Sequence, residues 1–110
     1  MKELMSVFKT LSDETRLRIV LLLSKKEHCV CELTEILNES QPKISKHLSK
    51  LKDLNFVETK RNQQFIYYAL KEDNILLNSL LEFIQNNLEK YPTLFADHQR
   101  IAQCTININP

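Results

Sequence analysis

Apolar residues recur at three- and four-residue intervals along most of the chain, the spacing that lines one face of a helix. Leu4, Val7, Phe8 and Leu11 form one such stripe and predict a helix over Glu3 to Leu11 that needs a partner surface. Ser12 can cap the next helix, with Asp13 and Glu14 in its first turn, where the helix dipole favours anions. That helix, Asp13 to Ser24, carries Leu17, Ile19, Val20, Leu21, Leu22 and Leu23. Being apolar nearly all round, it is the expected centre of the core. After a polar break at Lys25 to His28, a short helix from Cys29 to Asn38 is expected to bury Val30 or Leu33 together with Ile36 and Leu37.

Ser40-Gln41-Pro42 is a helix start: serine accepts from an orphan amide, and proline in the first turn removes a donor that has no partner there. Ile44, Leu48, Leu51 and Leu54 then line one face, while Lys43, Ser45, Lys46, His47, Ser49 and Lys50 form the other. A short helix, a tight turn and a second helix with an apolar inner and donor-rich outer face is the helix-turn-helix arrangement. On this reading Gln41, Ser45 and Ser49 face base edges and Lys43, Lys46 and Lys50 face phosphates. An ordinary amphipathic helix would show the same pattern, and only the segment beyond Leu54 separates the two.

Phe56-Val57-Glu58-Thr59-Lys60 and Phe65-Ile66-Tyr67-Tyr68-Ala69-Leu70 are rich in β-branched and aromatic residues and flank Arg61-Asn62-Gln63-Gln64. This predicts a β-hairpin with a polar, basic tip, in which Asn62 is the expected residue for a positive φ in a chain without glycine. Directly after a recognition helix, a cationic hairpin reads as a wing whose Lys60, Arg61, Asn62 and Gln64 reach DNA. The hairpin could instead be a structural cap. Helical spacing resumes from Asn74 to Lys90 with Ile75, Leu76, Leu77, Leu80, Leu81, Ile84 and Leu88. This face and that of the first helix exceed what a short chain covers alone, which predicts a homodimer. Tyr91-Pro92 interrupts, and Leu94 to Cys104 can form one more helix. The expected fold is mainly α with a β-hairpin wing: a single winged helix-turn-helix domain over residues 1–104, with the first helix and 74–104 as its dimer interface. Residues 105–110 read as a disordered tail.

With 110 residues, 43% of them hydrophobic, the chain suits one modest core. It has no run long and apolar enough to span a membrane and no signal-peptide pattern, which predicts a cytoplasmic protein. The net charge of +1 hides a polarity. Residues 1–40 carry six Lys/Arg against seven Asp/Glu, residues 41–70 six against two, and residues 71–110 three against five. The positive charge therefore sits on the recognition helix and wing, although a solvated helix face would also concentrate it. No glycine-rich phosphate loop or nucleophile arrangement appears, and His28, His47 and His98 are scattered without ligand spacing, so an enzyme is not expected.

Cys29 and Cys31 lie just upstream of the DNA-reading segment, which joins a soft-metal ligand pair to a gene-control element. At the start of a helix the dipole favours thiolate, so the pair is expected to be reactive. Residues two apart point about 200° away from each other around a helix, so both can face one ion only if that turn is distorted. The distortion would be passed to Ser40-Gln41-Pro42 and misalign the recognition helices. A redox switch pairing Cys104 with Cys29 or Cys31 is an alternative from another class. A winged helix that binds only protein is a third, and DNA binding insensitive to salt would be its sign.

The stretch from Phe8 to Leu70 resembles the ArsR family of winged-helix, metal- and metalloid-sensing bacterial repressors. The likeness rests on Leu11-Ser12-Asp13-Glu14-Thr15-Arg16-Leu17-Arg18-Ile19, Cys29-Val30-Cys31-Glu32-Leu33, Ser40-Gln41-Pro42 through His47-Leu48 and Leu51, and Tyr67-Tyr68-Ala69-Leu70. The resemblance implies a homodimer that binds double-stranded operator DNA and releases it on binding metal, with no organic cofactor and no membrane partner. It further implies arsenite or antimonite as inducer, since family members with Cys-Val-Cys in this helix sense these, or cadmium and lead where additional cysteines lie near the N-terminus. This chain has no cysteine before Cys29, and the helix from Asn74 to Lys90 lacks the histidines of the zinc and cobalt sensors. It departs from the arsenic-responsive pattern at Thr34, where a third cysteine is usual. Arsenite prefers three thiolates, so the Cys29 and Cys31 pair is completed by Cys104 of either subunit, which is the candidate, by a small cellular thiol, or not at all.

Overall fold

The computed structural model describes residues 1–104; the expected tail, 105–110, lies outside the described residues. Its elements, in order, are α1 (Lys2–Leu11), α2 (Glu14–Lys25), β1 (His28–Cys29), α3 (Val30–Leu37), α4 (Gln41–Asp53), β2 (Val57–Asn62), β3 (Phe65–Leu70), α5 (Ile75–Asn86), a 3-10 turn (Leu88–Lys90) and α6 (Pro92–Gln103). This is a winged helix-turn-helix.

α2 is the central helix, as its composition requires: Ile19, Val20, Leu21, Leu22 and Leu23 are all buried. Its cap is Asp13, not Ser12. The Asp13 carboxylate accepts from Arg16 N at 2.9 Å, while Ser12 ends α1 and donates its hydroxyl to Lys9 O. A carboxylate satisfies an orphan amide and also meets the positive end of the dipole, so it takes the capping place. Ser40 caps α4 as expected, accepting from Lys43 N, with Pro42 in the first turn. Ile44, Leu48 and Leu51 bury the inner face against α2 and α3.

The wing is a tighter hairpin than its sequence implied. Asn62 pairs with Phe65 inside the ladder, leaving a two-residue turn, and Gln63 (φ 59°) rather than Asn62 adopts the left-handed conformation. Asparagine does take that role at two helix ends, Asn38 (φ 53°) after α3 and Asn55 (φ 64°) after α4. A third strand joins the wing. β1 pairs antiparallel with β3, giving the order β1-β3-β2, and two residues are too few to show periodicity in a sequence.

α5 is shorter than the apolar run that encodes it, ending at Asn86. Most of that run serves this chain's own core: Leu77 and Leu81 are buried, and Leu76, Leu80, Ile84 and Leu88 pack against it. Ile75 and Phe83 stay exposed, as do Leu4, Met5 and Phe8 on α1. α6 starts at Pro92, two residues earlier than expected, and is bolted to the rest. Arg18 of α2 makes a two-point pair with Asp97, both bonds 2.8 Å, and Gln85 of α5 donates to Leu21 O while contacting His98. No helix among the described residues is long and apolar enough to cross a membrane.

Candidate functional site

Cys29 is not in a helix. It ends β1 opposite Tyr67 and serves as N-cap of α3, its Sγ accepting from Glu32 N at 3.4 Å while the Glu32 carboxylate accepts from Cys29 N at 3.1 Å. This is a capping box with sulfur in place of the usual hydroxyl. The spacing of Cys29 and Glu32 could have revealed it. The two thiols lie in different surroundings, although not for the helical reason expected, since only Cys31 is in α3: Cys29 is buried and Cys31, two residues on, is exposed.

Burial changes the expected chemistry of Cys29. Loss of solvent pushes its thiol up to about 11, outweighing the opposing hydrogen bond from the Glu32 amide. The helix N-terminus therefore does not make it a resting thiolate. Around it lies a buried polar group: His28, Glu32 and Tyr67. His28 Nδ1 stands 3.7 Å from Glu32 Oε1, and burial holds the imidazole below its ordinary value, that is, neutral.

The third cysteine comes back to the same helix. Cys104, at the end of α6, donates from Sγ to Glu35 Oε2 at 3.1 Å. Glu35 lies four residues after Cys31, so the two share a face of α3 one turn apart. Arg100, one turn earlier on α6, donates to Ile36 O at 3.2 Å and so covers an end carbonyl of α3. Glu32, Glu35 and Arg100 are the supporting residues that sequence reasoning missed. Among the described residues, no three His, Cys, Asp or Glu side chains are gathered closely enough to hold a metal ion. Three thiols are soft donors that fit a soft, thiol-preferring ion in kind, but the pair would have to rearrange to face one.

The second surface is the outer face of α4 with the wing. Gln41, Lys43, Lys46, Ser49 and Lys50 are exposed and Ser45 is half-buried. His47 differs from expectation. It turns to the inner edge of α4, its side chain 14% exposed and Nε2 4.0 Å from Asp13 Oδ1. Position 47 falls three after Ile44 and four before Leu51, on the buried stripe, and burial keeps its imidazole below the ordinary value despite Asp13. On the wing Lys60, Arg61, Asn62 and Gln64 are exposed. Lys60 is 3.8 Å from Glu27 and Lys43 is 3.1 Å from Glu39, exposed pairs that a phosphate can replace at little cost.

Residues 13–59 match the family model described as bacterial regulatory protein, arsR family. The chain is 44% identical over 93 residues to the arsenic resistance transcriptional regulator ArsR2 of Pseudomonas putida, covering 84% of this chain and 79% of that one. It is 39% identical over 84 residues to the cadmium resistance transcriptional regulatory protein CadC of Lactococcus lactis, covering 76% of this chain and 69% of that one. Among solved structures, the transcriptional repressor BigR from Xylella fastidiosa superposes with a TM-score of 0.69 at 33% identity, over 77% of this chain and 85% of that one.

Proposed function

The chain belongs to the arsR family of bacterial regulatory proteins, and on that premise we propose that this DNA-binding transcriptional repressor releases its operator when arsenite or antimonite is bound by its cysteines. The observation that carries the reading is the return of Cys104 to α3, the helix that opens at Cys29 and Cys31. Cys29, Cys31 and Cys104 are the proposed ligands. The named arsenic and cadmium relatives mark soft-metal sensing as the shared theme, and the absence of any cysteine before Cys29 favours the trivalent metalloids over cadmium.

When bound, a trivalent metalloid supplies a three-way link between thiol sulfurs, each thiol proton leaving with a displaced hydroxyl as water. Cys29 therefore needs no prior ionisation. To meet Cys31 it must leave the core, break the capping box with Glu32 and pull on β1. β1 is a strand of the wing sheet, so the pull reaches Tyr67 and Tyr68 directly, while α3 leads through Asn38 into α4. Both DNA-facing elements are thus displaced together. A few kcal/mol of difference between the two states is enough to empty the operator.

The reading takes residues 1–104 as one domain working in the cytoplasm as a homodimer, whose contact surface is built from exposed Leu4 and Phe8 of α1 with Ile75 and Phe83 of α5. Two protomers present two α4 helices to half-sites about one helical turn apart, with Gln41, Ser45 and Ser49 at bases and Lys43, Lys46, Lys50, Lys60, Arg61, Asn62 and Gln64 at backbone or groove edges.

Fluorescence anisotropy of the reduced protein on DNA upstream of its own gene, titrated in parallel with arsenite, antimonite, cadmium, zinc and peroxide, tests this. Loss of binding with arsenite or antimonite at concentrations where zinc has no effect is the expected result. A redox reading has one observation in its favour, the hydrogen bond of Cys104 to Glu35, which lies one turn after Cys31 on α3. There peroxide would oxidise the two thiols to a disulfide and leave as two waters. Release by peroxide alone would favour it.

A further inference from the structure

We propose that the DNA-contacting surface continues past the recognition helix onto α1, where Lys2, Lys9, Arg16 and Lys50 form a second patch for backbone phosphate. The inference rests on the reading of α4 as the DNA-contacting helix. Lys43, Lys46 and Lys50 follow one another at helical spacing along that face, and Lys50 sits in its last turn. At that end opens a concavity of about 650 Å³ floored by Met5 and Leu54 and edged by Lys2, Lys9, Arg16 and Lys50. Four cations from three helices converge there, and no carboxylate among the described residues lines it.

Two of the other basic positions differ. Lys43 and Lys60 each stand beside a glutamate that a phosphate must displace. Arg16 is held in place, donating from Nε to Thr10 O at 3.1 Å and from Nη2 to Lys9 O at 3.4 Å, so its charge is fixed at the rim before any ligand arrives. A concave wall of low dielectric focuses a one-signed potential, and the nearest anion to a helix lying in a major groove is the flanking strand's phosphate. The patch makes contacts that carry no sequence information, so it adds affinity and salt dependence without altering base preference.

The test is the slope of log affinity against log salt, measured by anisotropy on a mixed-sequence duplex several helical turns long. Three proteins are compared: unaltered, Lys2→Gln/Lys9→Gln, and a control that removes two charges elsewhere, Lys25→Gln/Lys90→Gln. All three should melt alike, since the four lysines are exposed. The expected result is a several-fold loss of affinity for Lys2→Gln/Lys9→Gln and a slope shallower by about 0.9 for each phosphate contact removed, with the control near the unaltered protein. Equal slopes for the two double variants would overturn the proposal while leaving the DNA reading intact. An unaltered protein with no salt-dependent binding would overturn both.

Discussion

Cys29 stands directly opposite Tyr67 in the antiparallel ladder, so the first thiol of the candidate sensor and a central strand of the wing belong to one sheet. The link is short. A change at Cys29 needs no relay through the core to reach the wing, and the same residue caps α3, which leads into α4.

The two thiols of the pair should differ sharply in reactivity. Cys31 is exposed, whereas Cys29 is buried with its thiol pushed up to about 11. Brief iodoacetamide treatment at mildly alkaline pH, read by peptide mass spectrometry, should label Cys31 at least about tenfold faster than Cys29. The same burial sets a pH dependence. A thiol whose value is raised from 9.0 to about 11 on folding costs stability as pH rises past the lower value, because the unfolded chain gives up the proton more readily, and the loss levels off above about 11. The sign follows from proton binding: between the two values the folded thiol keeps the proton that the unfolded thiol has lost, so opening the fold is favoured by rising pH and the protein is less stable at the top of the window than below it. Melting the unaltered protein and Cys29→Ser across that range should show the former losing more.

Glu32 closes the capping box from the carboxylate side. Replacing it by alanine removes a buried acceptor for Cys29 N and should cost about 1 kcal/mol, a fall in Tm of roughly 5 °C. Glu32→Gln keeps an acceptor oxygen and should lose less than half of that in the same thermal melt.

Asp97 anchors α6. With Arg18 and Asp97 side chains only 13% and 2% exposed, Asp97→Ala strands a buried guanidinium and should cost about 3 kcal/mol in urea unfolding. Because α6 carries Cys104 to Glu35, the variant should also alkylate faster at Cys104 than the unaltered protein does.

The Tyr67 hydroxyl is buried without a hydrogen-bond partner among the described residues. Removing it in Tyr67→Phe should leave packing intact and raise stability by about 1 kcal/mol, measured as a higher urea midpoint at unchanged slope.

The elements that position the proposed DNA-facing surface are legible in the sequence because each carries its own local signal. Ser40 with Pro42 marks the start of α4, Ile44, Leu48 and Leu51 give its inner face, and the aromatic and β-branched runs give the wing. His47 reads as outward when charge alone is weighed, although its spacing from Ile44 and Leu51 puts it on the buried stripe. β1 is out of reach, since a strand of two residues is made by its partner β3 and not by its own pattern. The depth of Cys29 is hidden for the same reason. Its thiol is governed by tertiary burial, which the helix-terminus rule does not contain. Cys104 can be named from the sequence, but its neighbour Glu35 depends on how α6 docks, which is fixed by Arg18 with Asp97 and by Arg100 with Ile36.

On the proposed function, release of DNA runs through the cysteine pair. Anisotropy on the upstream DNA with increasing arsenite, comparing the unaltered protein with Cys29→Ser and Cys31→Ser, tests it most directly. Serine is a competent N-cap, so both variants should still bind DNA within a few-fold of the unaltered protein. Each should need at least about tenfold more arsenite to let go, since every thiolate withdrawn from a soft ion costs well over about 1.4 kcal/mol. Release at unchanged arsenite concentration in both variants would contradict the account.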